Sequence, residues 1–375
     1  MQLLLCLLLA ADAGAPPEFP FNPQVLRTPP DTLQSPEVHP DGRVTLRLRA
    51  PRAAQVAVAG EWTRPAANKP EKLNRDKEGV WSITVGPLEP NIYIYVFDVD
   101  GMTITDPVNP LVKLRARTSA SMVEVPGGKP WETRDVPHGT VEMLTHQSAV
   151  LKGPRQLFVY TPPGYQQGRG RYPVLYLLHG NNDLAAGWTM AGRAHVILDN
   201  FLADKKAVPM IVVMPWGHAL PFGTRPPAGQ PGNNDVFEDY LIKDLAPLVE
   251  GRYRVAPGRR NRAVVGLSMS SAQALQLGLR HRDRFATIGV FGSGMTRADF
   301  HARFKDATAG DKLDLVVVGI GTEDGSLAKA KELWGTLAGL GLPTTYREVE
   351  GGHTYPVWRK LLVETAPLLF KNAVR

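Results

Sequence analysis

The octapeptide "VVGLSMSS" (264–271) carries a serine, Ser268, just after an apolar run that ends in glycine and just before a helical pattern. A serine hydroxyl becomes a useful nucleophile when a neighbouring base removes its proton during attack. Imidazole suits that task, because its ordinary pKa of ~6.5 lies near neutral pH. A carboxylate on the second ring nitrogen fixes the tautomer and stabilises the imidazolium. The chain offers both partners downstream, Asp324 in "TEDG" and His353 in "GGHTYPVW", each just beyond a strand-like run. Asp314 precedes its run and so belongs to the opposite sheet edge, whereas Glu323, one residue from Asp324, is left open by spacing. An oxyanion formed during acyl transfer needs two converging backbone N–H donors. Met269, next after the serine, is expected to give one, and Asn181 in "LLHGNND" (177–183) the other. His179 in that loop is out of order for a base and is expected to hold the loop by hydrogen bonding.

Such residues work only if one edge of a sheet presents them together. From about residue 136, apolar runs at 157–161, 173–178, 209–214, 263–266, 286–292 and 314–321 alternate with helical patterns at 234–253, 270–282, 326–341 and 357–370. Continuous apolar strands alternating with helices predict a mostly parallel sheet covered on both faces. Reactive loops in such sheets follow the carboxyl ends of the strands, which is where Ser268, Asp324 and His353 fall. The turn "GLSMS" departs from the G-x-S-x-G elbow at its last position, Ser270. That residue needs only helical φ/ψ, so it is expected to be tolerated, with its hydroxyl bonding back to the preceding turn. Ser270→Gly is accordingly expected to change activity little.

Upstream, short runs at 42–50, 54–62, 79–86 and 91–101 alternate at period two between turn residues. They predict a small all-β sandwich over 36–126. Residues 16–35 form a proline-rich leader. Residues 1–15, "MQLLLCLLLAADAGA", read as a secretory signal peptide: the apolar run is too short to span a bilayer, and small-x-small cleavage sites follow. No basic residue precedes the run, so a disordered N-terminus is the competing reading. A secreted or periplasmic protein is expected. Cys6, the only cysteine, lies in this segment, so cysteine usage cannot test the compartment.

The motifs "YTPPGY", "YPVLYLLHG", "PMIVVMPWGH", "YLIKDLAPLVEGRYRV", "RAVVGLSMS" and "GGHTYPVWR" resemble, in order, the esterase D / feruloyl esterase group of α/β-hydrolases, over 136–375. The resemblance implies an α/β-hydrolase domain with Ser268 as nucleophile, His353 as base and Asp324, rather than Glu323, as the acid. The group's usual "GLSMGG" stands here as "GLSMSS". The upstream segments "SPEVHPDGRVTLRLRAP" and "VWSITVGPLEPNIYIYVFDVDG" resemble early-set, glycogen-binding-like modules of immunoglobulin-like form. Relatives of that module bind glucans through exposed aromatics, which makes Trp62 and Trp81 candidates for glucan or xylan binding. Strand aromatics pack more often than they bind, so a bracing role is the favoured reading.

A balance of 43 basic against 36 acidic side chains is only mildly basic, and no basic stretch is long enough for nucleic acid. No metal-ligand spacing appears, so neither a metal nor a cofactor is expected, and no membrane span is. The implied partner is a small-molecule or polysaccharide ester, with feruloyl or acetyl esters of xylan favoured. A siderophore (enterochelin-type) esterase, acyl transfer to a sugar, and a carbohydrate-binding protein with a retired site are the competing readings. Trp216, Phe222, Tyr355 and Trp358 are candidates to flank an aromatic acyl group, or else core or lid residues.

Overall fold

In a computed structural model, residues 33–63, 70–227, 230–304 and 312–371 are described. The signal-peptide and most of the leader assignments therefore lie outside the described residues. Among the described residues, ten strands come first: β1 (Glu37–Val38), β2 (Val44–Arg49), β3 (Val56–Gly60), β4 (Glu71–Lys72), β5 (Asn74–Arg75), β6 (Val80–Val85), β7 (Asn91–Val99), β8 (Met102–Ile104), β9 (Val112–Lys113) and β10 (Ala120–Val125). They build two antiparallel sheets, ordered β1-β2-β6-β5 and β4-β3-β7-β10-β9, with β8 beside β7. Alternation turns Val44, Leu46 and Leu48 of one sheet and Tyr93, Tyr95 and Phe97 of the other into a shared core. Trp81 is buried there with its indole N–H on the Ala50 carbonyl, 2.9 Å. Trp62 packs on Tyr93 and Tyr95 and donates to Glu71, 3.0 Å. Both candidate aromatics thus make packing and hydrogen-bond contacts within these sheets, Trp81 buried and Trp62 half-buried.

The run "NIYIYVF" in β7 is buried on both faces, not one. Ile92 and Ile94, with Ala120 and Met122 of β10, join a second core that contains Leu175, Trp188 and Trp358 of the following sheet and helices. Each such side chain removed from water contributes about 2 kcal/mol. The period-two pattern alone presents that face as if it met solvent; the helix α8 that packs on it lies far downstream in the chain.

The remaining strands form one eight-stranded sheet: β11 (Thr140–Ser148), β12 (Gly153–Thr161), β13 (Val174–Leu178), β14 (Ile211–Pro215), β15 (Arg262–Leu267), β16 (Thr287–Phe291), β17 (Leu315–Gly321) and β18 (Thr344–Val349). Their order is β11-β12-β14-β13-β15-β16-β17-β18, parallel from β14 to β18 and antiparallel at the β11-β12-β14 edge. The edge strand β11 is half-exposed and mostly polar, so its sequence carries little apolar signal. The helices are α1 (Gly187–Met190), α2 (Ala194–Ala203), α3 (Asn233–Tyr240), α4 (Ala246–Arg252), α5 (Met269–Arg280), α6 (Arg297–Arg303), α7 (Leu327–Gly339) and α8 (Tyr355–Thr365). The pattern at 234–253, read as one helix, is α3 and α4 joined through a π turn, Leu241–Leu245. In β13, Leu175 and Leu177 face the core under α2 and α8, while Val174, Tyr176 and Leu178 face the core under α3 and α4. Two-sided burial of this kind requires the uninterrupted apolar strands seen in the sequence. Among the described residues, no helix is long and apolar enough to cross a membrane.

Arg359 on α8 is fully buried and ties the first ten strands to the large sheet. It donates to Asn91 Oδ1 (2.7 Å), to the Ile92 carbonyl and to the Ala191 carbonyl. Burial pulls its guanidinium down to about 10, while the Glu61 carboxylate opposes that shift. Glu61 is itself raised by burial, and its two oxygens accept the N–H groups of Tyr355 (3.0 Å) and Ile94 (2.9 Å). A carboxylate from the first sheets therefore sits at the N-terminus of α8, where helix N–H groups lack intrahelical acceptors.

Candidate active site

Ser268 stands between β15 and α5 at φ 53°, ψ −117°, a conformation that costs a non-glycine residue roughly 1–3 kcal/mol. The Ser268 N–H donates to the Phe291 carbonyl of β16, 2.8 Å, which helps to fix the elbow. Gly266 permits the turn: a Cβ there would lie 2.0 Å from the Ser270 carbonyl oxygen. The strained turn lifts the hydroxyl above the sheet edge.

His353 lies in the loop between β18 and α8. Its Nε2 is 2.8 Å from Ser268 Oγ, and its Nδ1 is 2.7 Å from Asp324 Oδ2. With a carboxylate on Nδ1, that nitrogen carries the proton, and the free lone pair on Nε2 faces the serine. The Asp324 side chain is 2% exposed against 45% for His353. Its second oxygen accepts the Ser326 N–H, 2.8 Å, so the carboxylate cannot swing away. Glu323 is exposed, and Asp314 pairs with Arg260 (3.3 Å) just before β17. The imidazole edge rests on Trp358, ring centroids 4.9 Å apart.

A cleft of about 610 Å³ opens over these residues, lined by Ser268, His353, Asn181, Tyr355 and Trp358 from the large sheet and by Glu61, Lys113 and Arg115 from the first sheets. Asn181 thus shares the cleft with the serine. Met269 heads α5, where its N–H has no intrahelical acceptor. Its side chain turns away, toward Asn233. Gly180 lets the Asn181 loop approach the elbow, since a Cβ there would be 3.3 Å from Ser268 Cβ. Tyr355 and Trp358 are nearly fully buried at the cleft floor and pack rather than project. Trp216 does not line the cleft; its ring lies under the Arg155 guanidinium, 5.2 Å away at the antiparallel edge. Phe222 packs on His218 and Arg117. The expected aromatic flank is therefore absent at Trp216, because β14 ends with that side chain turned toward β12.

His218, which the sequence did not single out, holds the Asn181 loop together with Ser270 and His179. His218 Nε2 lies 2.7 Å from the Asn181 carbonyl and donates to it. Ser270 is fully buried, and its Oγ is 2.6 Å from the His179 carbonyl and from Gln273 Oε1. The hydroxyl therefore bonds across to the next loop, not back to its own turn as expected, because α5 points it at the end of β13. Ser271 Oγ donates to the Phe291 carbonyl, 2.6 Å. His179 bonds the Gly180 carbonyl through Nδ1 (2.8 Å) and accepts the Gly217 N–H at Nε2 (2.9 Å), which is the neutral tautomer.

Burial pulls His179 down to about 4. The unfolded chain, with an ordinary histidine near 6.5, takes up this proton first, so the contribution to stability is complete above that value. It falls as pH drops toward the folded value. Denaturant unfolding is expected to lose about 3 kcal/mol from this group between pH 7 and pH 4. His179→Gln should flatten that part of the profile; an unchanged profile would show that His179 takes no part.

The family model described as "Putative esterase" matches residues 148–369. The chain belongs to the Esterase family. This esterase-family chain is 29% identical over 375 residues to an endo-1,4-beta-xylanase/feruloyl esterase of Xylanibacter ruminicola, covering 96% of the chain and 49% of that protein. It spans about half the length of the curated relatives it first matches. The ferulic acid esterase of Anaeromyces mucronatus superposes at TM-score 0.55 with 24% identity, over 65% of this chain and 95% of that one. The enterobactin esterase of Shigella flexneri superposes at 0.67 with 17% identity, over 88% and 94%. Both are similarities of fold.

Proposed function

We propose that this protein is a serine carboxylic-ester hydrolase that works through an acyl-enzyme. The observation that carries the reading is the His353 imidazole bridging Ser268 Oγ and Asp324 Oδ2 at 2.8 and 2.7 Å, at the mouth of the cleft. Ser268 Oγ attacks the ester carbonyl while His353 Nε2 takes its proton. Asp324 stabilises the imidazolium. The N–H groups of Asn181 and Met269 meet the oxyanion, each being worth about 3 kcal/mol at the transition state. The imidazolium then protonates the departing alcohol, and His353 activates water to release the acid and free Ser268.

The substrate we favour is a feruloyl or acetyl ester of xylan. The similarity to the xylanase/feruloyl esterase runs over 96% of the chain and so includes the first sheets. We read those sheets, over 36–126, as an immunoglobulin-like brace to the hydrolase domain of 136–375, and residues 1–15 as an export signal to the periplasm or beyond. The second reading is a siderophore esterase, favoured by the length over which the enterobactin esterase fold matches. A panel of methyl ferulate, acetylated xylan and ferric enterobactin separates them. The expected kcat/KM for methyl ferulate or acetylated xylan exceeds that for ferric enterobactin by about tenfold or more. The reverse order overturns the substrate assignment.

A further inference from the structure

We propose that Lys113, supplied by β9 of the first sheets, is a positioning residue for the oxyanion loop. The inference rests on the ester-hydrolase reading and deepens it. Lys113 Nζ bonds Asp183 Oδ1, and both side chains are almost completely buried. The other Asp183 oxygen accepts the Tyr355 hydroxyl at 3.0 Å and the Gly180 N–H at 3.4 Å. One carboxylate thus gathers donors from the loop itself, from α8 and from the first sheets. The Asp183 N–H returns to the Gly180 carbonyl, 3.1 Å, so residues 180–183 form a closed turn with Asn181 inside it.

The same strand segment grips the loop through its backbone. The Ala116 N–H donates to the Asn182 carbonyl, 2.9 Å, and Arg115 forms an antiparallel bridge with Asp183. The Lys113 ammonium also lies 4.5 Å over the Tyr355 ring. A buried ion pair of this kind often adds no more stability than apolar residues of similar volume. Stability alone therefore gives little reason for a lysine here, whereas orientation does. Without the ammonium, the Asp183 carboxylate is left buried beside the loop and must draw in water or a proton. The turn that aims the Asn181 N–H then relaxes. A displacement of about 1 Å at such a group costs on the order of 10²-fold in rate.

The test compares Lys113→Met, Asp183→Asn and Ser268→Ala in the full chain with p-nitrophenyl acetate, at a temperature where circular dichroism shows each variant folded. Lys113→Met is expected to lower kcat by about 10- to 100-fold, with KM within about threefold, because the donor acts mainly on the transition state. The pH dependence of kcat/KM should stay unchanged, since His353 and Asp324 are untouched. Asp183→Asn keeps the side-chain size and the Tyr355 contact. It serves if Lys113→Met does not fold, and should show the same loss. A kcat within about twofold of the parent in a folded variant makes Lys113 purely structural and overturns the inference. A shifted pH profile also overturns it, because the effect would then run through His353. Activity that survives Ser268→Ala sinks the hydrolase reading instead, whatever Lys113 does.

Discussion

Ser268→Ala is expected to abolish p-nitrophenyl acetate hydrolysis, with a fall in kcat on the order of 10⁵-fold or more. Two neighbouring serines follow within three residues, and the geometry denies both of them the role. Ser270 Oγ lies 2.6 Å from the His179 carbonyl, and Ser271 Oγ lies 2.6 Å from the Phe291 carbonyl. Each hydroxyl is buried and bonded to a backbone carbonyl, whereas His353 Nε2 lies against Ser268 Oγ. Alanine keeps the serine side chain without its oxygen, and among the described residues the bond of Ser268 Oγ to His353 is the one that the substitution removes. The melting temperature should therefore stay close to that of the parent. Turnover that persists, with the folded content unchanged, would remove Ser268 from the mechanism.

The second large effect is expected at Asp324. Asp324→Asn should lower kcat by about 10⁴-fold, whereas Glu323→Gln should leave it within about threefold. The size of the first effect follows from two hydrogen bonds. Asp324 Oδ1 accepts the Ser326 N–H at 2.8 Å, so in asparagine the oxygen must stay at that position. The amide nitrogen is then forced toward His353 Nδ1, where Oδ2 now sits at 2.7 Å. A donor there drives the proton to Nε2, and the lone pair that should face Ser268 is lost. Glu323 is exposed and contributes its backbone N–H to the Gly351 carbonyl, 2.9 Å, a bond that glutamine preserves. Equal losses in the two variants would return the acid role to an open question.

Some of this site is legible in the chain because short-range rules produce it. The strand–turn–helix at 262–280 is written locally, in an apolar run, a glycine and an amphipathic helix. The positions of Asp324 and His353 just past β17 and β18 follow from the same alternation. The group-specific motifs agree with the Esterase-family match over residues 148–369. Trp216 marks the limit of such reasoning. Its distance in sequence from the elbow says nothing about which way β14 turns it, and the cleft does not include it.

The sequence by itself determined the alternation of strands and helices, the order of serine, aspartate and histidine along the chain, and the two-part arrangement of sheets. These depend on periodicity and on residues close to one another. Only the tertiary structure decided what holds the site. The second face of β7 meets helices far along the chain, Glu61 caps α8 from another sheet, and Lys113 reaches Asp183 across 70 residues. Ser270, an oddity in its own motif, bonds a carbonyl 91 residues earlier. A polar or charged side chain carries no local signal of its partner, because only the folded chain brings the two groups together and removes the water between them.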